Sequence, residues 1–311
     1  MLDKFAPLRA PAFAVALSEL DDLLSQSNKV FLLGAGCSKC AGLPLTTELT
    51  EQTLACETLD ETTIKILTAI KGKFEGAKAA NIEDYLSELV DMVAITERRD
   101  ARGANISTVS LDGNDYSVQQ LKDAVDQIKF AIVKMLDVNV DLEVHLKFIQ
   151  AVHRPLRPGR VVVARTVDYL ILNYDTLIES ALALQKLQYV DGMNGGSSAW
   201  WDIKTFEKIG IDARILKLHG SIDWSEIPGD ILPRRIAKNL RLPAGNEGKI
   251  LIWPASTKYR ETQRDPYAQL LNLARCALRP QSSSQTVLIV CGYSCCRARG
   301  NVEKRALGCL F

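Results

Sequence analysis

Three short polar segments follow apolar runs of the chain and carry residue types suited to chemistry. Residues 34–38 read Gly-Ala-Gly-Cys-Ser, residues 173–175 read Asn-Tyr-Asp, and residues 217–221 read Lys-Leu-His-Gly-Ser. Glycines let backbone amides approach a pyrophosphate, while an amide, a carboxylate and an imidazole can orient water, hold polar groups and transfer protons. Together the segments indicate chemistry on a nucleotide. They favour a hydrolase that consumes a dinucleotide over a dehydrogenase that uses it as a redox cofactor.

The glycine segment departs from two common nucleotide-binding patterns. The dehydrogenase fingerprint needs a glycine at position 39, where this chain has Lys39, and a second strand that ends in an acidic residue, where the pattern here is helical. A phosphate-loop NTPase is excluded because no Gly-Lys-Ser/Thr follows. Gly42 and Pro44 extend the segment. It is either a phosphate-binding turn or a tight strand–helix turn without a ligand.

The other two segments place polar side chains where an open parallel sheet binds ligands, at the carboxyl ends of its strands. Asn173 could orient a water or a ribose hydroxyl, and Asp175 could accept a hydrogen bond from a carboxamide; alternatively, one of them caps the helix that follows. His219 ends a strand beside a glycine and could transfer protons near neutral pH, although a lone histidine can also be structural. His145 and His153 fall in helical or loop sequence and are interpreted as structural or solvated.

A fourth segment follows the last apolar run, where residues 291–294 read Cys-Gly-Tyr-Ser. Its glycine turn and hydroxyl could close a nucleotide site, or it could be a plain turn. Four such segments on successive strand ends of one sheet support the functional interpretation more strongly than any one of them.

The hydrophobic pattern predicts the elements that position these segments. Buried parallel strands are expected at residues 29–33, 169–172, 215–218, 250–253 and 286–290, with helices between them. Residues 82–93 place apolar side chains on one helix face, with Asn81 as a candidate cap. Residues 101–116 and 191–198 are predicted to be loops. The whole pattern predicts an α/β fold: a Rossmann-like, doubly wound parallel sheet with a helical insertion at about 55–150, in one domain over 1–311.

Composition narrows the classes of partner. The 311 residues are 47% hydrophobic and 24% charged with a net charge of +1, so bulk charge gives no support for a nucleic-acid or membrane surface. No apolar run approaches the roughly 18 to 20 residues of a membrane span. Eight irregularly spaced cysteines favour a reduced, cytoplasmic protein. Cys37 and Cys40 have no second pair at zinc spacing, so no metal site is predicted.

The motifs taken together resemble the sirtuin-like family. The pattern Gly-Ala-Gly-x-Ser-x-x-x-Gly-x-Pro fits residues 34–44 without a gap, and segments 173–175, 217–224 and 292–294 are most similar to prokaryotic sirtuin-like domains of antiphage defence. Residues 81–86, Asn-Ile-Glu-Asp-Tyr-Leu, and residues 254–267, with Lys258, also fit that group. The resemblance runs from about residue 28 to 294.

The resemblance implies a domain that binds NAD as its substrate and cleaves it to nicotinamide and ADP-ribose without a metal. Asn173 would place the attacking water, His219 would engage the ribose hydroxyls or act as a base, and Asp175 would hold the nicotinamide carboxamide. The residues implied to line the phosphates and close the pocket are Gly34, Ala35, Gly36, Ser38, Gly292, Tyr293 and Ser294. Nicotinamide leaves from a pyridinium without protonation, so a tight pocket, one water and a partner for the ribose hydroxyls suffice.

Departures from the family keep two alternatives open. Deacetylases usually carry a zinc module with two cysteine pairs, which this chain lacks; an NAD-dependent protein deacylase is therefore the second hypothesis. After residue 294 the family usually continues with small residues and an Asp, whereas residues 295–299 here read Cys-Cys-Arg-Ala-Arg. The tail is thus expected to be truncated or altered, which keeps a non-catalytic NAD- or ADP-ribose-binding subunit as the third hypothesis. The resemblance also implies a homo-oligomer, or a complex with a partner such as an ATPase.

Overall fold

The computed structural model describes residues 9–26, 28–74, 80–153, 166–237, 240, 249–252, 265–279 and 285–293. The helices in that part of the chain are α1 (Pro11–Gln26), α2 (Thr46–Leu54), α3 (Glu61–Lys73), α4 (Ile82–Ala101), α5 (Val118–Leu136), α6 (Glu143–His153), α7 (Leu177–Leu184) and α8 (Tyr267–Leu278). Its strands are β1 (Asn28–Leu33), β2 (Val109–Leu111), β3 (Asn114–Tyr116), β4 (Val167–Ile171), β5 (Tyr189–Val190), β6 (Met193–Gly195), β7 (Ala199–Trp201), β8 (Ala213–Lys217), β9 (Gly220–Glu226), β10 (Arg234–Arg235), β11 (Lys249–Ile252) and β12 (Thr286–Cys291).

A five-stranded parallel sheet forms the centre of the fold, in the order β12-β1-β4-β8-β5. Its register aligns Leu33 of β1 with Ile171 of β4 and with Cys291 of β12, and aligns Ile171 with Lys217 of β8. The four long strands therefore end at one edge of the sheet, and each predicted polar segment begins there. The predicted Rossmann-like α/β fold is confirmed.

Both faces of this sheet are covered, which explains why its strands are predominantly apolar. On one face, Phe31, Tyr169 and Ile215 pack with buried side chains of α6 and α7. On the other, Leu32 and Leu216 belong to a cluster that includes buried residues of α8 and two tryptophans of a second sheet. Alternate residues of each strand thus face opposite layers, as the pleat requires.

The helical insertion builds its own apolar core from α2, α3, α4 and α5. Its longest helix, α4, begins with a capping box: the Asn81 side chain accepts from the Glu83 amide, and the Asp84 carboxylate accepts from the Asn81 amide, both at 2.8 Å. The predicted cap is confirmed. Tyr174 and Leu177 belong to the same cluster, so the insertion packs against the end of β4.

The prediction of a loop over residues 101–116 is wrong for its second half, which forms the hairpin of β2 and β3. The two strands are joined by Asp112 and Gly113, with φ of 47° and 79°. A two-residue turn with both φ angles positive has the twist that hairpins prefer, and Asp-Gly is a favoured sequence for it. The signal was present in the sequence.

A second sheet was not predicted. Five short antiparallel strands lie in the order β11-β9-β10-β7-β6. The predicted loop at 191–198 contains β6, and the run at 250–253, expected in the parallel sheet, instead forms β11 and pairs antiparallel with β9. After β8 of the parallel sheet, the chain returns to this second sheet through a turn at Leu218 and His219 that leads into β9. Within the described part of the chain, every helix is too short or too polar to cross a lipid bilayer.

Candidate functional site

Three predicted site residues from two strand ends meet in one hydrogen-bonded group. The Asn173 side-chain nitrogen donates to the Ser38 hydroxyl at 2.7 Å and to the Gly34 carbonyl at 3.0 Å. The Ser38 hydroxyl in turn donates to the Asp175 carboxylate at 2.6 Å. Ser38 and Asp175 are buried, whereas Asn173 is half-buried. The glycine segment after β1 and the Asn-Tyr-Asp segment after β4 therefore form one site.

The direction of these hydrogen bonds fixes the orientation of the Asn173 amide. The Ser38 hydroxyl donates its single proton to Asp175, so the Ser38 oxygen is left to accept. The NH₂ group of Asn173 must then face Ser38 and the Gly34 carbonyl. Its carbonyl oxygen is directed away from both, as the group able to accept a hydrogen bond from water.

Asp175 has a second role, which the sequence left open. Its other carboxylate oxygen accepts from the Leu177 amide at 3.2 Å, at the first residue of α7. Because the first amides of a helix lack partners within the helix, this bond stabilises the start of α7. Asp175 therefore supports the helix while it orients Ser38.

The glycines of the first segment pack against the turn after β12. Gly34 donates to the Cys291 carbonyl at 3.0 Å, and Gly36 donates to the Gly292 carbonyl at 2.8 Å. A Cβ on Gly34 would lie 2.8 Å from the Gly292 oxygen, and one on Gly36 would lie 2.8 Å from the Gly292 Cα. Real Cβ contacts are essentially never this short, so close approach between two backbones accounts for these glycines.

Most amides of this segment donate within the protein. Besides Gly34 and Gly36, Cys37 donates to the Gly34 carbonyl at 2.9 Å and Ser38 to the Ala35 carbonyl at 3.1 Å. A phosphate at this turn would therefore reach these four amides only if the turn opened. This arrangement is more closed than the sequence pattern implied.

The two cysteines of this turn, Cys37 and Cys40, are both free thiols and are linked by a hydrogen bond. The Cys40 thiol donates to the Cys37 carbonyl at 3.3 Å. Burial, with neighbouring Cys291, raises the pKa of the Cys37 thiol to about 12. Since only the thiolate is nucleophilic or binds metal, Cys37 is inert at neutral pH in this environment.

An open pocket lies beside the Asn173 group and contains about 490 Å³ of space, part of it open to solvent. Polar walls come from the strand ends and from the first turn of α4, and apolar side chains fill in between them. The lining residues are Ala35, Ser38, Leu43, Pro44, Thr46, Leu49, Ile82, Glu83, Leu136, Leu172, Asn173, Tyr174 and Asp175.

His219 lies behind this pocket rather than in its lining. Its Nδ1 is 3.7 Å from the Glu83 carboxylate, and its ring centroid is 6.5 Å from that of Tyr174. The Tyr174 hydroxyl donates to the same Glu83 oxygen at 3.1 Å. The structure thus brings Asn173, Ser38 and Asp175 together on the pocket, whereas His219 lies next to Glu83, another lining residue.

A buried ion pair supports the floor of the site. The Lys217 ammonium donates to the Asp175 carbonyl and lies 3.6 Å from a Glu179 oxygen. Both side chains are buried, at 1% and 7% exposed. The Tyr174 carbonyl accepts from the Ile222 amide at 3.0 Å. These contacts attach the Asn-Tyr-Asp segment to β8 and β9, so the third polar segment positions the second.

This ion pair predicts a pH-dependent stability. Burial raises the pKa of Glu179 from 4.5 to about 7, an effect that Lys217 opposes and nearby Asp223 and Asp175 reinforce. Because the raised pKa favours the protonated form of Glu179 in the folded state, the bound proton stabilises the fold. This stabilisation is complete below about pH 4.5 and is lost as the pH rises through 7. The difference amounts to up to about 3 kcal/mol. Glu179→Gln, which cannot ionise, should gain stability relative to the wild type between pH 5 and pH 8.

Urea unfolding of both proteins at several pH values measures this gain. Glu143→Gln, on the exposed surface of α6, is a matched control whose difference from the wild type should change much less. If the wild-type and Glu179→Gln stability curves run parallel between pH 5 and pH 8, Glu179 does not titrate in this range.

Glu83, Lys217 and Glu179 were not predicted as site residues. A lysine between two leucines in a buried strand was a readable signal, because a charge is rarely buried without a partner. Glu83 gave a weaker signal, since an acidic residue in the first turn of a helix is ordinary. Gly292 and Tyr293 lie beside the glycine segment; Ser294, Lys258 and the cysteine-rich tail fall outside the described residues.

Comparisons with known proteins identify no relative, so a function has to be argued from the site itself. The chain matches no protein-family model, and no curated protein is significantly similar to it.

Proposed function

We propose that this protein is a sirtuin-like enzyme that hydrolyses the N-glycosidic bond of NAD to give nicotinamide and ADP-ribose. The observation that carries the proposal is the hydrogen-bonded Asn173–Ser38–Asp175 group, which lines a pocket at the carboxyl edge of a parallel sheet. Ligands of such sheets bind at that edge. The polar groups here suit a reaction that needs a positioned water rather than a covalent nucleophile.

The proposed step is a displacement at the anomeric carbon. The C1′–N bond breaks and its electron pair returns to the pyridinium ring, which leaves as neutral nicotinamide. The water held by the Asn173 carbonyl forms the new C1′–O bond and releases a proton to the solvent at the open side of the pocket. Fixing the water in an attack geometry removes much of the entropy cost of bringing the two reactants together.

The same geometry also favours one other function, a non-catalytic NAD- or ADP-ribose-binding subunit. Four amides of the glycine segment donate within the protein, so the turn in this conformation gives a pyrophosphate few of the contacts that would hold the nucleotide rigidly for catalysis. A protein that only binds the nucleotide needs no positioned water. The proposal of hydrolysis therefore has to be tested by products, not by binding alone.

The biological role that we propose derives from the family resemblance. A chain that depletes NAD would act as the toxic effector of a prokaryotic antiphage defence system, in the cytoplasm. We propose that it works as a homo-oligomer or with a partner such as an ATPase.

The test is to incubate the full chain with NAD and identify the products by mass spectrometry. We expect nicotinamide and ADP-ribose in equal amounts, without an acyl-peptide. Nicotinamide release that requires an acyl-peptide would identify a deacylase instead. Calorimetric binding of NAD without any product would identify the non-catalytic subunit.

A further inference from the structure

A carboxylate from the helical insertion stands between His219 and the pocket. Glu83 lines the pocket together with Asn173 and Asp175, whereas His219 does not. The Glu83 side chain is 24% exposed and the His219 side chain 9%. From the core outward, the imidazole therefore comes first and the carboxylate second, and a ligand in the pocket meets Glu83 before it meets His219.

Two neighbours fix the Glu83 carboxylate in place. The Tyr174 hydroxyl donates to Oε1 at 3.1 Å, and His219 Nδ1 lies 3.7 Å from the same oxygen. Burial raises the pKa of Tyr174 well above its usual value, so the phenol keeps its proton and remains a donor. Glu83 also lies in the first turn of α4, where the helix dipole favours a negative charge.

The two oxygens of a carboxylate can accept several hydrogen bonds at once. Groups that donate two adjacent hydrogen bonds, such as a vicinal diol, suit such an acceptor. The ribose next to nicotinamide carries this diol, beside the carbon where positive charge develops as the glycosidic bond breaks. A fixed negative charge at that position stabilises the transition state more than the ground state.

We propose that Glu83 is the residue that accepts hydrogen bonds from the hydroxyls of the nicotinamide ribose, and that His219 is a positioning residue that acts through Glu83. This inference rests on the proposed function, and it moves the ribose contact that the resemblance gives to His219 onto a residue of the helical insertion.

The test compares NAD with two analogues that lack the 2′- or the 3′-hydroxyl of the nicotinamide ribose. Glu83→Ala should lower kcat/KM for NAD about 10- to 100-fold, as expected for losing a hydrogen bond to a charged group. On the analogue that lacks the contacted hydroxyl, the kcat/KM of Glu83→Ala should be close to that of the wild type, because the hydrogen bond is already absent. Glu83→Gln, which keeps the shape, serves where the alanine variant does not fold.

Two further variants complete the design. Glu88→Gln lies on the same helix, with one long ion pair to Lys73 at 4.0 Å, and should change kcat/KM by about twofold or less. His219→Ala should reduce turnover in the wild-type background but add little to Glu83→Ala, because coupled residues are not additive. Fully additive losses would show that His219 acts independently of Glu83.

The outcomes separate the inference from the function on which it rests. If the wild type hydrolyses NAD but Glu83→Ala loses the same factor on all three substrates, Glu83 contacts neither hydroxyl and the inference alone fails. If the wild type releases no nicotinamide, calorimetry with ADP-ribose, which keeps the diol, replaces the kinetics. Weaker binding by Glu83→Gln than by Glu88→Gln would then support the inference, and equal binding or no binding by the wild type would overturn it.

Discussion

Asn173→Ala should lower kcat for NAD hydrolysis by at least about 100-fold, because misplacing a reacting group costs a factor of this size. The Asn173 side chain forms two fixed hydrogen bonds, to Ser38 and to the Gly34 carbonyl, which leave its carbonyl oxygen for the water. Alanine removes that acceptor together with the two hydrogen bonds that hold it in place. Nicotinamide release, followed at saturating NAD, measures the effect, and KM should change far less than kcat.

A matched control tests whether the loss is specific to the site. Asn114 lies in the exposed hairpin of the insertion, with one 3.3 Å hydrogen bond to the Asp112 carbonyl, and Asn114→Ala should keep nearly full activity. Thermal unfolding of both variants shows whether each is folded at the assay temperature. If folded Asn173→Ala retains turnover within a few-fold of the wild type, the water is positioned by another group and the site assignment is wrong.

The central sheet could be predicted because its signals are local. Apolar runs buried on both faces, each followed by a glycine or a polar residue, are characteristic of parallel strands, and Asn81 before a periodic segment is characteristic of a helix start. Strand-end positions then placed Asn173 and Asp175 at the same edge as the glycine segment. The geometry of parallel strands alone is enough to bring these segments to one edge of the sheet.

The second sheet and the position of Glu83 could not be predicted, because they depend on contacts between distant segments of the chain. The short strands β6, β7 and β10 have two or three residues each, too few for a periodic pattern, and become recognisable only by pairing in the second sheet. The approach of Glu83 to His219 joins residues 136 positions apart (219 minus 83). No local pattern encodes such a contact, because it follows from how the insertion packs on Tyr174.

Gly292→Ala should destabilise the fold by about 2 to 4 kcal/mol, the sum of a left-handed backbone penalty and an overpacked contact. Gly292 has φ of 63°, and an added Cβ would lie 2.3 Å from the Cys37 amide nitrogen. To relieve this contact, the two backbones must move apart and break the hydrogen bond from Gly36 to the Gly292 carbonyl. The turn that carries Ser38 should therefore shift. Activity should therefore fall together with stability.

Gly113→Ala separates the two causes of this loss. Gly113 has a similar φ of 79°, but a Cβ there would meet no atom within 4 Å, so its variant should lose only the backbone penalty of about 1 to 2 kcal/mol. Urea unfolding of both variants gives the difference, which measures the contact between the β1 and β12 turns. Equal losses would mean that these turns are not in close contact in solution. Activity retained by Gly113→Ala but lost by Gly292→Ala would tie this contact to the orientation of Asn173, because Ser38 lies on the displaced turn and determines which way the Asn173 amide faces.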